Sequence, residues 1–460
     1  MRIEKDFLGQ VFIPENALYG IHSERARNNF PVSDSRIDPY FMKAYLLVKK
    51  ACLKAAFEIG EIGKEQWEAI EKAVHFLIDN KEVLEKNMIV PALQGGAGTS
   101  FHMNINEVIA NQALLFAGRK PGEYQLIHPN DTVNCCQSTN DTYPSALSIA
   151  LIWRLRELTE TVCRLQETLQ EKEREFSGIY KIARTQMQDA LPITLGMEFG
   201  AYAEAVSRDR WRLYKAEERL RVVNLGGTAV GTSMNAPRKY IFSAYNYLRE
   251  YTGIGLAKSE NLLEATSNQD VYLEAFGWVK VFAVNLHKIA CDLRFLSSSP
   301  VGEVKLPKVQ AGSSMMPGKV NPVIPELMIQ IAYETISSDT LITQAVMNGH
   351  LELNPWLPVI ASHFLRTLKN LKDGTESFIE NCLKGIEADK QKCQEGLFSS
   401  YSILTSLNRK LGYEEIALLV KEGIESGKPI EKLLLEKKLL TKEEASDFFN
   451  LNKMTRQEKQ

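Results

Sequence analysis

In the middle of the chain the apolar residues fall into long helical periods. Leu151, Leu155, Leu158, Val162, Leu165 and Leu169 step by 4, 3, 4, 3 and 4, an unbroken heptad seam. Val279, Phe282, Leu286, Ile289, Leu293 and Leu296 repeat the same alternation. A third stretch, Leu195–Leu220, carries Phe199, Tyr202, Val206 and Leu213 on one side. It also holds Gly196, Gly200 and Ala203, small residues that permit close helix approach. A fourth helix is expected from Pro325 towards Met347, and a fifth after Pro358. Pro325 suits a helix start, where its missing N–H has no intrahelical partner to lose. Five long helices in one region predict a bundle, and the fold class is mainly α.

Two of these stretches, SALSIALIW and WVKVFAVNL, are apolar around most of the circumference. A surface helix needs one apolar seam, so a second buried face is implied, and with it a homo-oligomer packed through these helices. The flanking regions have a different texture. Residues 1–134 mix short helical patterns with loops, and 393–460 form short, highly charged helices. Three domains are therefore expected: 1–134, a central long-helix domain over 135–392, and a small helical domain over 393–460.

Composition narrows the function classes. The 460 residues are 44% hydrophobic and 24% charged, and the formal net charge is -2, from 55 basic and 57 acidic residues. Neither sign dominates, which argues against nucleic acid or a membrane surface as a partner. No apolar run approaches the ~18 residues of a membrane span, and the N-terminus lacks the apolar core of a signal peptide. The seven cysteines are odd in number and include no CxxC pair, so free thiols in a reducing, cytoplasmic setting are expected. The adjacent Cys135 and Cys136 read as two small residues packed beside a loop. The seven histidines show no metal-ligand spacing and are expected in structural or surface roles.

The chemistry must then lie in polar segments between the helices, and three stand out. In QGGAGTSFHMNINEVIAN, residues 94–111, the glycines let backbone N–H groups approach a ligand, and Thr99 and Ser100 add hydroxyls near a helix start. Alone, such a run fits an ordinary turn as well as a site. In HPNDTVNCCQSTNDTYP, residues 128–144, Ser138, Thr139, Asn140 and Asp141 are four consecutive cap-type residues, though one suffices as a cap. The excess suits a cluster that grips carboxylates; a purely structural cap cluster is the alternative. The third segment is GSSMMPGKVNP, residues 312–322, with Ser313, Ser314, Lys319 and Asn321 as its polar groups. A serine can act as a base only if its oxyanion is stabilised, and Lys319 and nearby backbone N–H groups are the means available. By composition alone, a Ser/Gly/Pro turn with a solvated lysine explains the segment equally well.

Together these segments resemble the aspartase/fumarase superfamily, whose signature loop has the form GSSxMPxKxNP. Residues 312–322 match at every fixed position, and the resemblance runs from RIEKDFLG near the start to LLTKEEASDFFN near the end. LYGIHSERA, QGGAGTS, QSTNDTYP and KVNPVIPE are similar to the aspartase branch rather than to fumarases. At 186 a glutamine stands where fumarases place a histidine, which also favours the aspartase branch. The resemblance implies a mixed N-terminal domain, a long-helix central domain and a small C-terminal one. It implies four subunits whose central helices form a twenty-helix core, with active sites shared between subunits.

The activity implied is reversible conversion of L-aspartate to fumarate and ammonia, by anti-elimination through an aci-carboxylate. On this resemblance Ser313 is the base, assisted by Lys319. Thr99, Ser138, Thr139 and Ser314 would donate to the carboxylate that gains charge. Asn140 and Gln186 would hold the amino group, and Thr185, Lys319 and Asn321 the other carboxylate. Glu326 stands where relatives pair a carboxylate with the fumarase histidine, a relay that Gln186 rules out here. No organic cofactor is implied, and activation by a divalent cation such as Mg2+ stays open. A class II fumarase and a non-catalytic, crystallin-like structural protein are the alternatives. Two segments depart from the family pattern: NLGGTAVGTSMN at 224–235 has serine and methionine where GTGLN is usual, and HLELNPWLPVI at 350–360 carries Pro355 and Trp356.

Overall fold

The structure is a computed structural model and describes residues 1–32 and 36–450, so the last ten residues of the expected C-terminal domain lie outside the described residues. Helices dominate, with four two-stranded sheets among the described residues. The five long helices run over Thr139–Glu175, Leu195–Leu220, Asp270–Leu296, Val323–Met347 and Leu357–Phe378. Every residue of the two predicted heptad seams is buried. Each such side chain stabilises the fold by roughly 1.5–3 kcal/mol through loss of contact with water. The small residues also act as expected: a Cβ on Gly196 would lie 2.4 Å from the carbonyl oxygen of Glu173, so only glycine permits that approach.

The helix starts differ slightly from the sequence expectation, for clear reasons. The fourth helix begins at Val323, placing Pro325 third in its first turn, where the missing N–H still costs nothing. The first begins at Thr139, so Thr139, Asn140 and Asp141 belong to the helix rather than preceding it. Pro144 lies inside it and cannot donate to the Asn140 carbonyl one turn earlier. The side-chain amide of Asn224 donates to that carbonyl instead, at 2.9 Å.

The chain forms two compact units, Met1–Glu160 with Trp211–Ala283 and Tyr333–Lys372, and Thr161–Arg210 with Val284–Ala332 and Asp373–Gln460. In the first, the helix Pro39–Glu58 packs on Arg238–Thr252, and Lys64–Asp79 packs on Thr99–Phe116. Phe41, Tyr45, Phe101 and Tyr143 meet there edge-on or tilted, with centroids 4.9–6.2 Å apart. In the second, the hairpin of Tyr180–Thr185 and Gln188–Thr194 packs against Lys390–Ser399 and Tyr401–Leu407. Ile182, Leu397, Leu404, Leu419 and Leu434 fill the core below it. No described helix is long and apolar enough to cross a membrane.

Candidate active site

In the first unit, the glycine-rich segment makes a tight turn into the helix Thr99–Phe116. Gly96, Ala97 and Gly98 all have positive φ, at 79°, 56° and 92°. A Cβ on Gly98 would lie 2.3 Å from the Tyr143 ring, so both the backbone angle and the packing demand glycine. The Gln94 side chain accepts from the Phe101 N–H at 2.8 Å, fixing the turn against the helix end. Thr99 is thereby held at the helix start, with its hydroxyl donating to the Gly96 carbonyl at 2.7 Å.

The second polar segment is both a cap and something more. Ser138 Oγ accepts from the Asn140 N–H at 3.2 Å, and Asp141 Oδ1 accepts from the Ser138 N–H at 3.1 Å. Asp141 Oδ2 accepts from the N–H groups of Gly226 and Thr228 at 3.1 and 3.0 Å, tying the 224–235 segment to the helix start. Burial pushes the Asp141 carboxyl up to about 6, although these N–H donors favour its ionised form. Asn140 donates through Nδ2 to the Ala229 carbonyl at 2.7 Å, which leaves its side-chain oxygen as an acceptor. Thr139 Oγ1 lies 2.6 Å from His102 Nδ1, and His102 Nε2 lies 2.5 Å from the fully buried Lys49 Nζ. Ser138, Thr139 and Asn140 are thus brought together, one helix turn from Thr99 through His102.

In the second unit, the loop 312–322 is closed on itself. The Gly312 N–H donates to the Lys319 carbonyl at 2.8 Å, and Asn321 Nδ2 donates to the Gly312 carbonyl at 2.7 Å. Inside this ring, Ser313 Oγ accepts from the N–H groups of Met315 and Met316, at 3.1 and 2.9 Å. Two backbone donors on one serine oxygen are what an alkoxide requires. Ser314 and Lys319 are exposed, and the Lys319 ammonium forms no ion pair among the described residues. Glu326 lies in the first turn of the following helix, 3.6 Å from Arg294.

Thr185 and Gln186 sit at the tip of the 180–194 hairpin. Thr185 pairs with Gln188, so Gln186 and Met187 form a two-residue turn with φ of 54° and 64°. Left-handed angles at both positions match the twist of a hairpin but usually fall to Asn and Gly. Holding Gln and Met there stores strain, which concentrates at functional sites. The hairpin is anchored from below: buried Lys181 pairs with Glu198 and Glu303, each at 2.7 Å, and Arg184 pairs with Glu303 at 2.7 Å.

Two residues of this region escaped the sequence reading as contributors, Lys49 and His102, and the reach of Asp141 to the 224–235 segment escaped it too. Each sits in a segment with the composition of an ordinary helix or cap, and only the fold brings its partners within reach. Of the two departures from the family pattern, Ser233 stands in a left-handed conformation, with φ of 58°, where the usual pattern has glycine. Trp356 is exposed just before the helix Leu357–Phe378, and its ring N–H donates to the Asn348 carbonyl at 2.9 Å.

Residues 9–336 match the lyase family, and residues 403–456 match the fumarase C C-terminus. Aspartate ammonia-lyase of Helicobacter pylori is 43% identical over 459 residues, covering 99% of this chain and 98% of that protein. The Bacillus sp. aspartate ammonia-lyase is 42% identical, covering 99% and 97%. Among solved structures, a fumarate lyase:delta crystallin from Brucella melitensis bound to cobalt superposes with a TM-score of 0.95 at 40% identity, covering 99% of each chain. A class II fumarase from Schistosoma mansoni superposes with a TM-score of 0.93 at 28% identity, covering 98% of each. With matches at this level over its whole length, the chain belongs to the lyase family that includes aspartate ammonia-lyases and class II fumarases.

Proposed function

We propose that this chain is a carbon–nitrogen lyase that converts L-aspartate reversibly to fumarate and ammonia. The observation that carries the reading is Ser313, whose oxygen accepts two backbone N–H groups inside a signature loop. The proton to be removed lies next to the β-carboxylate and is not acidic at neutral pH. Removing it places a second negative charge on that carboxylate. Ser313 takes the proton as an alkoxide held by the Met315 and Met316 N–H groups, with Lys319 supplying positive charge. Thr99, Ser138, Thr139 and Ser314 donate to the dianion, in which each hydrogen bond strengthens as the charge grows. Thr185, Lys319 and Asn321 hold the other carboxylate, while Asn140 and Gln186 accept from the amino group. The free side-chain oxygen of Asn140 suits that role.

The leaving group separates this reading from hydration of fumarate. A bound ammonium departs as neutral ammonia, carrying the C–N electron pair and needing no added proton. A departing hydroxyl needs an acid, and Gln186 has no titrating proton to give. The assembly we propose is a homotetramer in the cytoplasm, with three domains per chain (1–134, 135–392 and 393–460) and sites shared between subunits. Its support is the apolar surface that a single chain leaves on the long helices: Trp211, Tyr214, Val281, Val284 and Tyr333 are all exposed. Incubating the purified protein with aspartate and, separately, with malate tests the reaction. Fumarate should form from aspartate at a rate at least ~100-fold above that from malate, a ratio within reach of pocket chemistry built around one polar group. Equal rates, or malate alone, would identify a hydratase.

A further inference from the structure

The buried lysine behind the polar cluster is unusual in its partners. Lys49 lies on the helix Pro39–Glu58 and is fully enclosed, yet no carboxylate is among its hydrogen-bond partners. Its Nζ meets three neutral groups: His102 Nε2 at 2.5 Å, Gln137 Oε1 at 2.8 Å and Asn134 Oδ1 at 3.2 Å. An ammonium has three donors and no acceptor, and here it finds three acceptors. Donation to Nε2 leaves His102 neutral, with its one proton on Nδ1. That N–H then donates to Thr139 Oγ1, 2.6 Å away. A threonine oxygen that accepts from a histidine keeps its own hydrogen for another partner.

We propose that Lys49 and His102 are positioning residues that set the direction of the Thr139 hydroxyl, turning it into an obligate, polarised donor towards the substrate carboxylate. The inference rests on the reading of Thr139 as a carboxylate donor. The alternative state of the same chain of groups is equally defined. A neutral Lys49 amine can accept from Nε2–H, so Nδ1 accepts from Thr139 and the hydroxyl is turned away from substrate. Burial holds the Lys49 ammonium down at about 7, so the two polarities exchange near neutral pH. The titratable groups facing this chain are Asp141 from the long helix, Cys52 and Tyr45 on the same helix as Lys49, the Tyr45 ring lying 5.6 Å from that of His102, and His22 from the helix Ile21–Asn29. Asp141 favours the charged lysine, while enclosure favours the neutral one.

Because the carboxylate gains charge only on the way to the intermediate, a lost polarised donor appears in kcat rather than in KM. We expect Lys49→Met and His102→Phe each to lower kcat about tenfold or more at pH 6.5 while KM for aspartate moves less than about threefold. Thr139→Val should lower kcat by a similar factor. The double variants Lys49→Met/Thr139→Val and His102→Phe/Thr139→Val should be no slower than Thr139→Val alone, because the wire then has nothing to direct. If Lys49→Met does not fold, the His102→Phe pair decides alone. Multiplicative losses in the double variants, or a rise in KM with kcat unchanged, would overturn the inference while leaving Thr139 as a donor. An unaffected Thr139→Val would instead overturn the reading of Thr139 itself.

Discussion

At the scale of single residues, the site depends on where each polar group finds its partner. Ser313 was legible only through the signature loop 312–322, since composition alone fits a turn equally well; its two donors, Met315 and Met316, lie two and three residues away. Lys49 and His102 were not, since their partners lie from 37 to 88 residues off and are joined only by packing; Asp141 was legible as a cap-type residue, but its bonds from the distant Gly226 and Thr228 N–H groups were not. Asp141 gives a prediction with a definite sign. Its carboxyl titrates at about 6 in the folded chain, against an ordinary value of 3.8. A raised value means the group's favourable contribution is present below about 4 and is lost as pH rises through about 6. Urea unfolding of the protein and of Asp141→Asn should therefore diverge in slope. Between pH 4 and 6.5 the unsubstituted protein should lose roughly 2 kcal/mol relative to the variant, whatever the constant cost of the substitution. A pH-independent difference would remove burial as the dominant influence on this carboxyl.

At the scale of elements, helices were read well and the hairpin was not. Period and small-residue spacing located Leu195–Leu220 to the residue, because a long amphipathic helix repeats its signal many times. The hairpin around Gln186 gives no such signal: its turn is Gln-Met, where Asn-Gly would have announced it. This departure from local preference is itself informative, since strain kept at a turn implies a use for the side chain there. Replacing Gln186–Met187 with Asn–Gly should stabilise the chain by about 1–2 kcal/mol in urea melts, because asparagine and glycine adopt the left-handed conformation more readily than glutamine and methionine. The same change should lower turnover of aspartate at least tenfold, because the asparagine amide is one methylene shorter and no longer reaches the amino-group side. A faster or unchanged enzyme would detach this turn from the site.

At the scale of the whole molecule, the long helices carry more apolar surface than one chain buries. Of the two stretches that the sequence marked as apolar all round, SALSIALIW is buried up to Ile152 within the single chain, whereas WVKVFAVNL leaves Val281 and Val284 exposed; Trp211, Tyr214 and Tyr333 on other long helices are exposed as well. Light scattering on a size-exclusion column should give a mass of four chains, and a stable monomer would contradict the shared-site assembly. The reaction can be tested more directly than the assembly. Ser313→Ala keeps the loop's Gly312–Lys319 and Asn321–Gly312 closures and removes the proposed base with the two hydrogen bonds it accepts from Met315 and Met316. Steady-state fumarate production by this variant should fall ~100- to 10,000-fold, the usual contribution of a positioned base, while calorimetry still detects fumarate binding within a few-fold of the unsubstituted affinity. Turnover retained within tenfold would contradict Ser313 as the base, and with it the central claim.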